Sequence, residues 1–443
     1  MCLARVIHRD GKVKIMSKVT ESPRGNCVLG GINAVLGAVD RVCPIFHAGP
    51  GCCMQTSAGE AGQSGGKTPH FVSSVSIPSS NMLEKEVVFG GVDKLRSTIK
   101  GTLEVIDADA YFVLTGCTAG IIGDDIVSVV EEFSQEGHPV YAIETPGFAG
   151  NSEYGYEVVF DTFLDQIIEL GRPKQENLVN LLGIIPYHDP FWSGDLEELT
   201  RILKKLGLEV NTFFTEHQGI EHIKNSSAAV LNIIVNPWLL QGAATVYEER
   251  FSVPSIRIAG IPIGATDTTV FVRQVAEALN LDSVLVEKVI KEEEDYVYSY
   301  LECAIGQLSW KRFAVVGDAN YAIGITRYLA NDYSFTPQVI IITEPMFRES
   351  DKDLITKRLT ELEYARPPKV YFEPDQYNIT KILEEDDEIT LLIGSTNERE
   401  IALKKEIQCS VIMFPITDRL IFNRTYVGYR GSLTLIEDLF DNL

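Results

Sequence analysis

The sequence predicts an α/β protein built as three doubly wound, Rossmann-like domains in series, with mainly parallel sheets. Three observations predict it. Short β-rich apolar runs alternate with stretches of helical period, the pattern of repeated βαβ units. Several runs are apolar on both faces, as in Val339-Ile340-Ile341-Ile342 and Ile389-Thr390-Leu391-Leu392-Ile393, and a strand buried on both sides belongs to a parallel sheet covered by helices. The length, 443 residues, suits about three domains of about 150 residues each.

Taken in order, strands are expected at 44–47, 110–114 and 139–143 in a first domain, 1–172. A second, 173–310, has them at 177–185, 228–235 and 255–258, with helical period over 195–205, 267–279 and 283–299. A third, 311–443, has them at 313–316, 338–343, 388–393 and 410–414. The strand-then-helix order restarts near Asn177 and near Arg312, so Gly171-Arg172-Pro173 and Ser309-Trp310-Lys311 are the expected joints. Heptads and short-period repeats are absent. Ligands of such sheets sit at the C-terminal ends of strands, so motifs that directly follow a strand carry the most weight.

Composition narrows the function. Apolar residues at 45% and charged residues at 23% exclude a disordered or low-complexity chain. Asp and Glu total 62 against 39 Lys and Arg, a net charge of −23. Nucleic acid and anionic membrane both need a basic footprint, so neither is expected as a partner; a partner with a basic face is. No window approaches about 18 uninterrupted apolar residues, and Met1-Cys2-Leu3-Ala4-Arg5 lacks the apolar core of a secretory signal. A cytoplasmic location follows as the expectation. Eight cysteines are too sparse for a disulfide scaffold, and a reducing compartment keeps them as thiols or metal ligands. Five of the eight (Cys2, Cys27, Cys43, Cys52 and Cys53) fall within the first 53 residues.

Three of the cysteines share a setting. Cys52 follows an expected strand in Phe46-His47-Ala48-Gly49-Pro50-Gly51-Cys52-Cys53, where Gly49 and Gly51 permit close backbone approach and positive-φ turns. Cys117 ends a second strand-then-turn, Val113-Leu114-Thr115-Gly116-Cys117, ahead of Gly123-Asp124-Asp125. Cys27 closes Pro23-Arg24-Gly25-Asn26-Cys27, just before a helical stretch. A single free cysteine most often packs in a core. Three on glycine-rich turns at helix starts are instead poised to converge on one iron–sulfur cluster.

Other candidates yield to plainer readings. Ala61-Gly62-Gln63-Ser64-Gly65-Gly66-Lys67-Thr68 is near a phosphate-binding loop, but Ala61 replaces the first glycine and no strand precedes it, so a solvated glycine-rich loop is expected. His217 and His222 read as solvated, and His188 with Asp189 as a turn. Lys291-Glu292-Glu293-Glu294-Asp295 reads as a charged helix face.

From about Cys27 onward the chain resembles nitrogenase component 1, and its β-type chain in particular. Three segments carry the resemblance: Cys27 with His47-x-Gly49-x-Gly51-Cys52, the cysteines 25 residues apart; Thr115-Gly116-Cys117-Thr118 leading to Ile121-Ile122-Gly123-Asp124-Asp125; and Thr145-Pro146-Gly147-Phe148-Ala149-Gly150. The resemblance implies that Cys27, Cys52 and Cys117 supply this chain's half of an interface [8Fe-7S] P-cluster. Gly49, Gly51 and Gly116 would then let backbone approach the sulfides. The family's β chain often has a cluster-binding serine after the Phe-x-Gly segment; here that position is Asn151, with Ser152 next to it, a departure from the family's pattern. The middle segment Val235-Asn236-Pro237-Trp238-Leu239-Leu240 has no cysteine and the segment around Thr425–Gly431 no histidine, so the chain lacks the α type's cofactor ligands. Cys303 and Cys409 are read as core residues. The implied partners are a homologous α-type chain, in an α2β2 heterotetramer, and an ATP-dependent iron–sulfur reductase. The implied role is electron transfer in nitrogen fixation or a related reduction, and the alternative is a cofactor-assembly scaffold of the same family.

Overall fold

The structure, a computed structural model, describes residues 5–7, 13–15, 21, 22, 24–60, 77–304, 310–344 and 348–440. Cys2, Pro23, the glycine-rich loop 61–68, Ser309 of the second joint and the side chain of Cys303 lie outside the described residues.

A short antiparallel hairpin, β1 (Arg5–Ile7) with β2 (Val13–Ile15), precedes three sheets. The first contains β3 (Val42–His47), β4 (Ala110–Thr115) and β5 (Val140–Ile143), side by side in that order. The second contains β6 (Leu178–Leu182), β7 (Glu209–Asn211), β8 (Leu231–Ile234) and β9 (Ser255–Arg257), in the order β7-β6-β8-β9. The third contains β10 (Arg312–Gly317), β11 (Thr336–Ile342), β12 (Lys369–Phe372), β13 (Leu391–Gly394) and β14 (Gln408–Val411), in the order β12-β11-β10-β13-β14. Every pairing in the three sheets is parallel. The α/β class holds, and the ten expected strands all form. Besides the hairpin strands β1 and β2, two strands of these sheets, β7 and β12, were not expected. Both are edge strands, and both start on an exposed residue, Glu209 or Lys369; an edge needs no two-sided apolar run.

Boundaries shift for local reasons. The run 177–185 pairs only as far as Leu182, because Gly183 turns the chain at φ 99°. The helix expected over 195–205 begins at Trp192, and the one expected over 283–299 runs Ser283–Ala304. On the latter the acidic run is not wholly a solvated face. Glu293 is buried and accepts two 2.7 Å hydrogen bonds from Arg201.

What positions the N-terminal cysteine is a helix buried along its whole length, Val28–Ala38. Its neighbour is the helix Ser152–Thr162, and glycines let the two touch. A Cβ on Gly31 would stand 2.4 Å from Ser152 Cα, and one on Gly155 2.9 Å from the Val28 carbonyl oxygen, closer than any side chain tolerates. Upstream of the same helix, Arg24 reaches the third sheet and pairs with Glu398, with both side chains buried. At the other end of the chain, the helix Gly428–Phe440 packs on the helices Trp192–Lys205 and Gly264–Leu279 of the second sheet. The Tyr429 and Thr269 hydroxyls are 2.8 Å apart across that contact.

Candidate cluster site

The three expected cysteines each open a helix beyond a strand or an extended segment. Cys27 is the extended residue capping Val28–Ala38, Cys52 lies in the first turn of Pro50–Glu60 after β3, and Cys117 is the first residue of Cys117–Ile122 after β4. Their backbones are tied together. Cys27 bridges Asn151 in antiparallel fashion, and Val28 N–H donates to the Gly150 carbonyl at 3.0 Å. Gly116 N–H donates to the His47 carbonyl at 2.9 Å, which sets the Cys117 turn beside the Cys52 turn. Thr145 N–H donates to Thr115 Oγ1 at 2.7 Å, and its hydroxyl to the Thr115 carbonyl at 2.8 Å, which fixes the Thr145-Pro146-Gly147 segment against β4.

The side chains converge. A Cβ on Gly147 would stand 2.9 Å from Cys117 Sγ and 3.2 Å from Cys27 Sγ, so these two sulfurs flank a single point. The Cys52 thiol is held above its ordinary pKa, first by burial and then by the nearby Cys117 and Cys27 sulfurs. Cys27 and Cys117 are exposed and Cys52 half-buried, so the trio opens to the surface. Among the described residues no three His, Cys, Asp or Glu side chains close on a single metal ion. The donor set fits a larger soft-metal group instead: three thiols suit iron–sulfur ligation, a side chain at residue 147 would fill the space between two of them, and a Cβ on Gly51 would meet nothing within 4 Å.

The glycines of the cysteine turns need no left-handed backbone. Gly49, Gly51 and Gly116 are not among the positive-φ residues. Gly116 makes room for a neighbouring turn, since its Cβ would lie 2.6 Å from Ala48 Cβ. Asn151 caps the helix Ser152–Thr162, its Oδ1 accepting from Tyr154 N–H at 3.0 Å, while Ser152 is buried under Gly25 and Gly31. His217 and His222 are exposed, as expected. His188 and Asp189 form a turn in which Asp189 Oδ2 accepts from Ile185 N–H at 2.6 Å. Cys409 packs against the core, and burial pushes its thiol up to about 11.

Gly147 and the buried pair His47 and Asp124 escaped sequence reasoning. Each stood inside a recognised motif, but only folding shows what it faces. A second feature was also missed: a cavity of about 350 Å³ over the C-terminal ends of β10, β11 and β14, bordered by Glu153, His188, Asp318 and Glu344. Burial, then the neighbouring Asp318, pushes the Glu153 carboxyl up to about 7, and burial pushes that of Asp318 up to about 6. Such groups keep a proton in the native state that the unfolded chain has already released. Their contribution is therefore complete below the ordinary value, 4.5 for Glu153, and is lost as pH rises toward about 7. Urea unfolding should show stability falling between about pH 5 and about pH 7.5, at up to about 1.4 kcal/mol per pH unit per group. Glu153→Gln should flatten that slope; an unchanged slope would remove Glu153 from the account.

Comparison with known proteins agrees with this architecture. Residues 27–443 match the family described as nitrogenase component 1 type oxidoreductase. The iron-molybdenum cofactor biosynthesis protein NifE of Clostridium pasteurianum is 26% identical over 386 residues, covering 85% of this chain and 79% of that protein. The vanadium-iron protein beta chain of Trichormus variabilis is 24% identical over 431 residues, covering 90% and 88%. The solved structure described as nitrogenase Cp1 at pH 6.5 superposes with a TM-score of 0.78 at 20% identity, covering 97% of this chain and 94% of that one. With three parallel sheets of this order and a family match running from the first of the three cysteines, the chain belongs to the nitrogenase component 1 type oxidoreductases.

Proposed function

We propose that this chain is the β-type subunit of a nitrogenase-like component 1 oxidoreductase. In this reading Cys27, Cys52 and Cys117 hold its half of a P-type [8Fe-7S] cluster at the boundary with a homologous α-type chain. The observation that carries the reading is the convergence of Cys27 and Cys117 on the point before Gly147, with Cys52 in electrostatic reach. When bound, such a cluster accepts and passes on single electrons from an ATP-dependent iron–sulfur reductase toward a cofactor in the α-type partner. This chain's residues supply the rest. The helix starts bring the thiols together, the second thiol-bearing turn is locked to the first through His47, and apolar side chains stand exposed beside them. Met54, Ile121 and Phe148 are all more than half exposed beside the cysteines. Exposed apolar area of this kind suits a protein partner, which would then seal the thiols from water. The absence of cysteine from 235–240 and of histidine from 425–431 supports a β-type rather than an α-type role. A cytoplasmic α2β2 heterotetramer, domain divisions near 172 and 310, and Asn151 as a backbone neighbour of the cluster complete the proposal.

A second reading, a cofactor-assembly scaffold, draws on the similarity to NifE. The two separate experimentally. Purified anaerobically with its α-type partner, reductase and ATP, the catalytic subunit should sustain substrate reduction over many turnovers. A scaffold should bind iron, hand over cofactor and reduce nothing catalytically. An iron-free complex would refute both.

A further inference from the structure

We propose that the buried His47–Asp124 pair is a positioning unit that clamps the Cys52 and Cys117 turns together and places a fixed negative charge behind them, tuning the electron affinity of whatever the thiols hold; this rests on reading the three cysteines as cluster ligands. His47 ends β3 and leads directly into the turn to Cys52. Its carbonyl accepts from Gly116 N–H at 2.9 Å, the residue before Cys117. Its Nε2 lies 2.9 Å from Asp124 Oδ2, just past the helix that Cys117 begins. One residue thus grips both ends of the Cys117 helix.

The charge follows from the hydrogen bonds. Asp124 accepts from Gly91 N–H at 3.1 Å and 3.0 Å through its two oxygens, and a carboxylate in that setting also accepts the imidazole N–H. The ring proton is therefore on Nε2, and Nδ1 accepts from the Ser80 hydroxyl at 2.9 Å. Burial also disfavours a second ring proton. The pair carries one net negative charge, with exposures of only 0% and 5%. No solvent gap loosens it: a Cβ on Gly91 would stand 2.7 Å from Asp124 Oδ2 and 2.8 Å from His47 Cε1. Net charge and nearby hydrogen bonds are what set iron–sulfur potentials, and an outer residue that orients a ligand tunes the metal through it.

The test uses the anaerobically purified complex, read by iron content and by redox titration followed by EPR. Asp124→Asn removes the charge, while the neutral ring can move its proton and keep the hydrogen bond. It should retain iron and shift the redox equilibrium about tenfold toward the reduced state, a rise of about 59 mV for a one-electron step. His47→Gln keeps an N–H donor near the Nε2 position and should retain iron at nearly the wild-type potential. His47→Asn cannot reach Asp124 and should lose most of its iron. Wild-type potential in Asp124→Asn, or equal iron in the Gln and Asn variants, overturns the proposal while leaving the cysteine reading intact. An iron-free wild-type complex overturns both.

Discussion

Replacing Cys52 by alanine should remove the interface cluster's share of the iron, and its EPR signal, from the anaerobically purified complex. The reason is geometric. Cys27 and Cys117 flank one point and Cys52 is the third thiol in electrostatic reach of it, so its removal leaves a metal group gripped on one side only. The adjacent Cys53 is no ready substitute, because its Sγ lies 3.7 Å from the Ile77 carbonyl oxygen. The fold should survive. Cys52 is only half-buried, and losing one sulfur at such a site costs about 1 kcal/mol. Iron analysis and EPR decide the matter, with thermal unfolding as the control for folding. Full iron in a folded Cys52→Ala complex would remove Cys52 from the ligand set.

Arg24→Ala should have the largest effect on stability, a loss of about 3–5 kcal/mol in chemical unfolding. Arg24 and Glu398 pair with side-chain exposures of 7% and 0%. The guanidinium also donates to Gln376 Oε1 at 2.6 Å and to Ser395 Oγ at 3.0 Å. Truncation leaves the Glu398 carboxylate buried without its cation, which is the expensive way to break such a pair. Replacing both partners, as in Arg24→Met with Glu398→Gln, should restore part of the loss, because a neutral amide needs no counter-charge and its oxygen can still accept from Ser395 N–H, which donates to Glu398 at 2.8 Å. A loss below about 1 kcal/mol in the single variant would show that the pair is not the tie it resembles. Since Arg24 stands three residues before Cys27, the single variant should also lower iron retention.

The parts of this chain legible in its sequence are those with a local cause. Two-sided apolar runs marked several central strands of the three sheets, because a parallel strand between helices has no wet face. Cys27, Cys52 and Cys117 were legible because the helix starts that carry them repeat one local pattern. The edge strands β7 and β12 were not, since an edge is stabilised by a single neighbour and carries mixed residues. Gly147 was quoted as part of a motif, yet its role depends on sulfurs 30 and 120 residues away in the chain. His47 and Asp124 likewise sat in separate motifs, and nothing in either announces the other. Gly116 was singled out for approach to a cluster, and its close packing on Ala48 is a further demand on the same position that spacing along a chain does not encode. The carboxyls around the cavity come from three separate segments and meet only when the sheets do.

The packing of Gly428–Phe440 onto the helices of the second sheet bears on how the protein is made. Residues 178–304 can form their strands as they emerge from the ribosome, but one flank stays bare until more than a hundred further residues have been translated. Assembly of the middle of the molecule is therefore finished late, and a nascent chain stalled within the third sheet exposes apolar helix surface that chaperones would recognise.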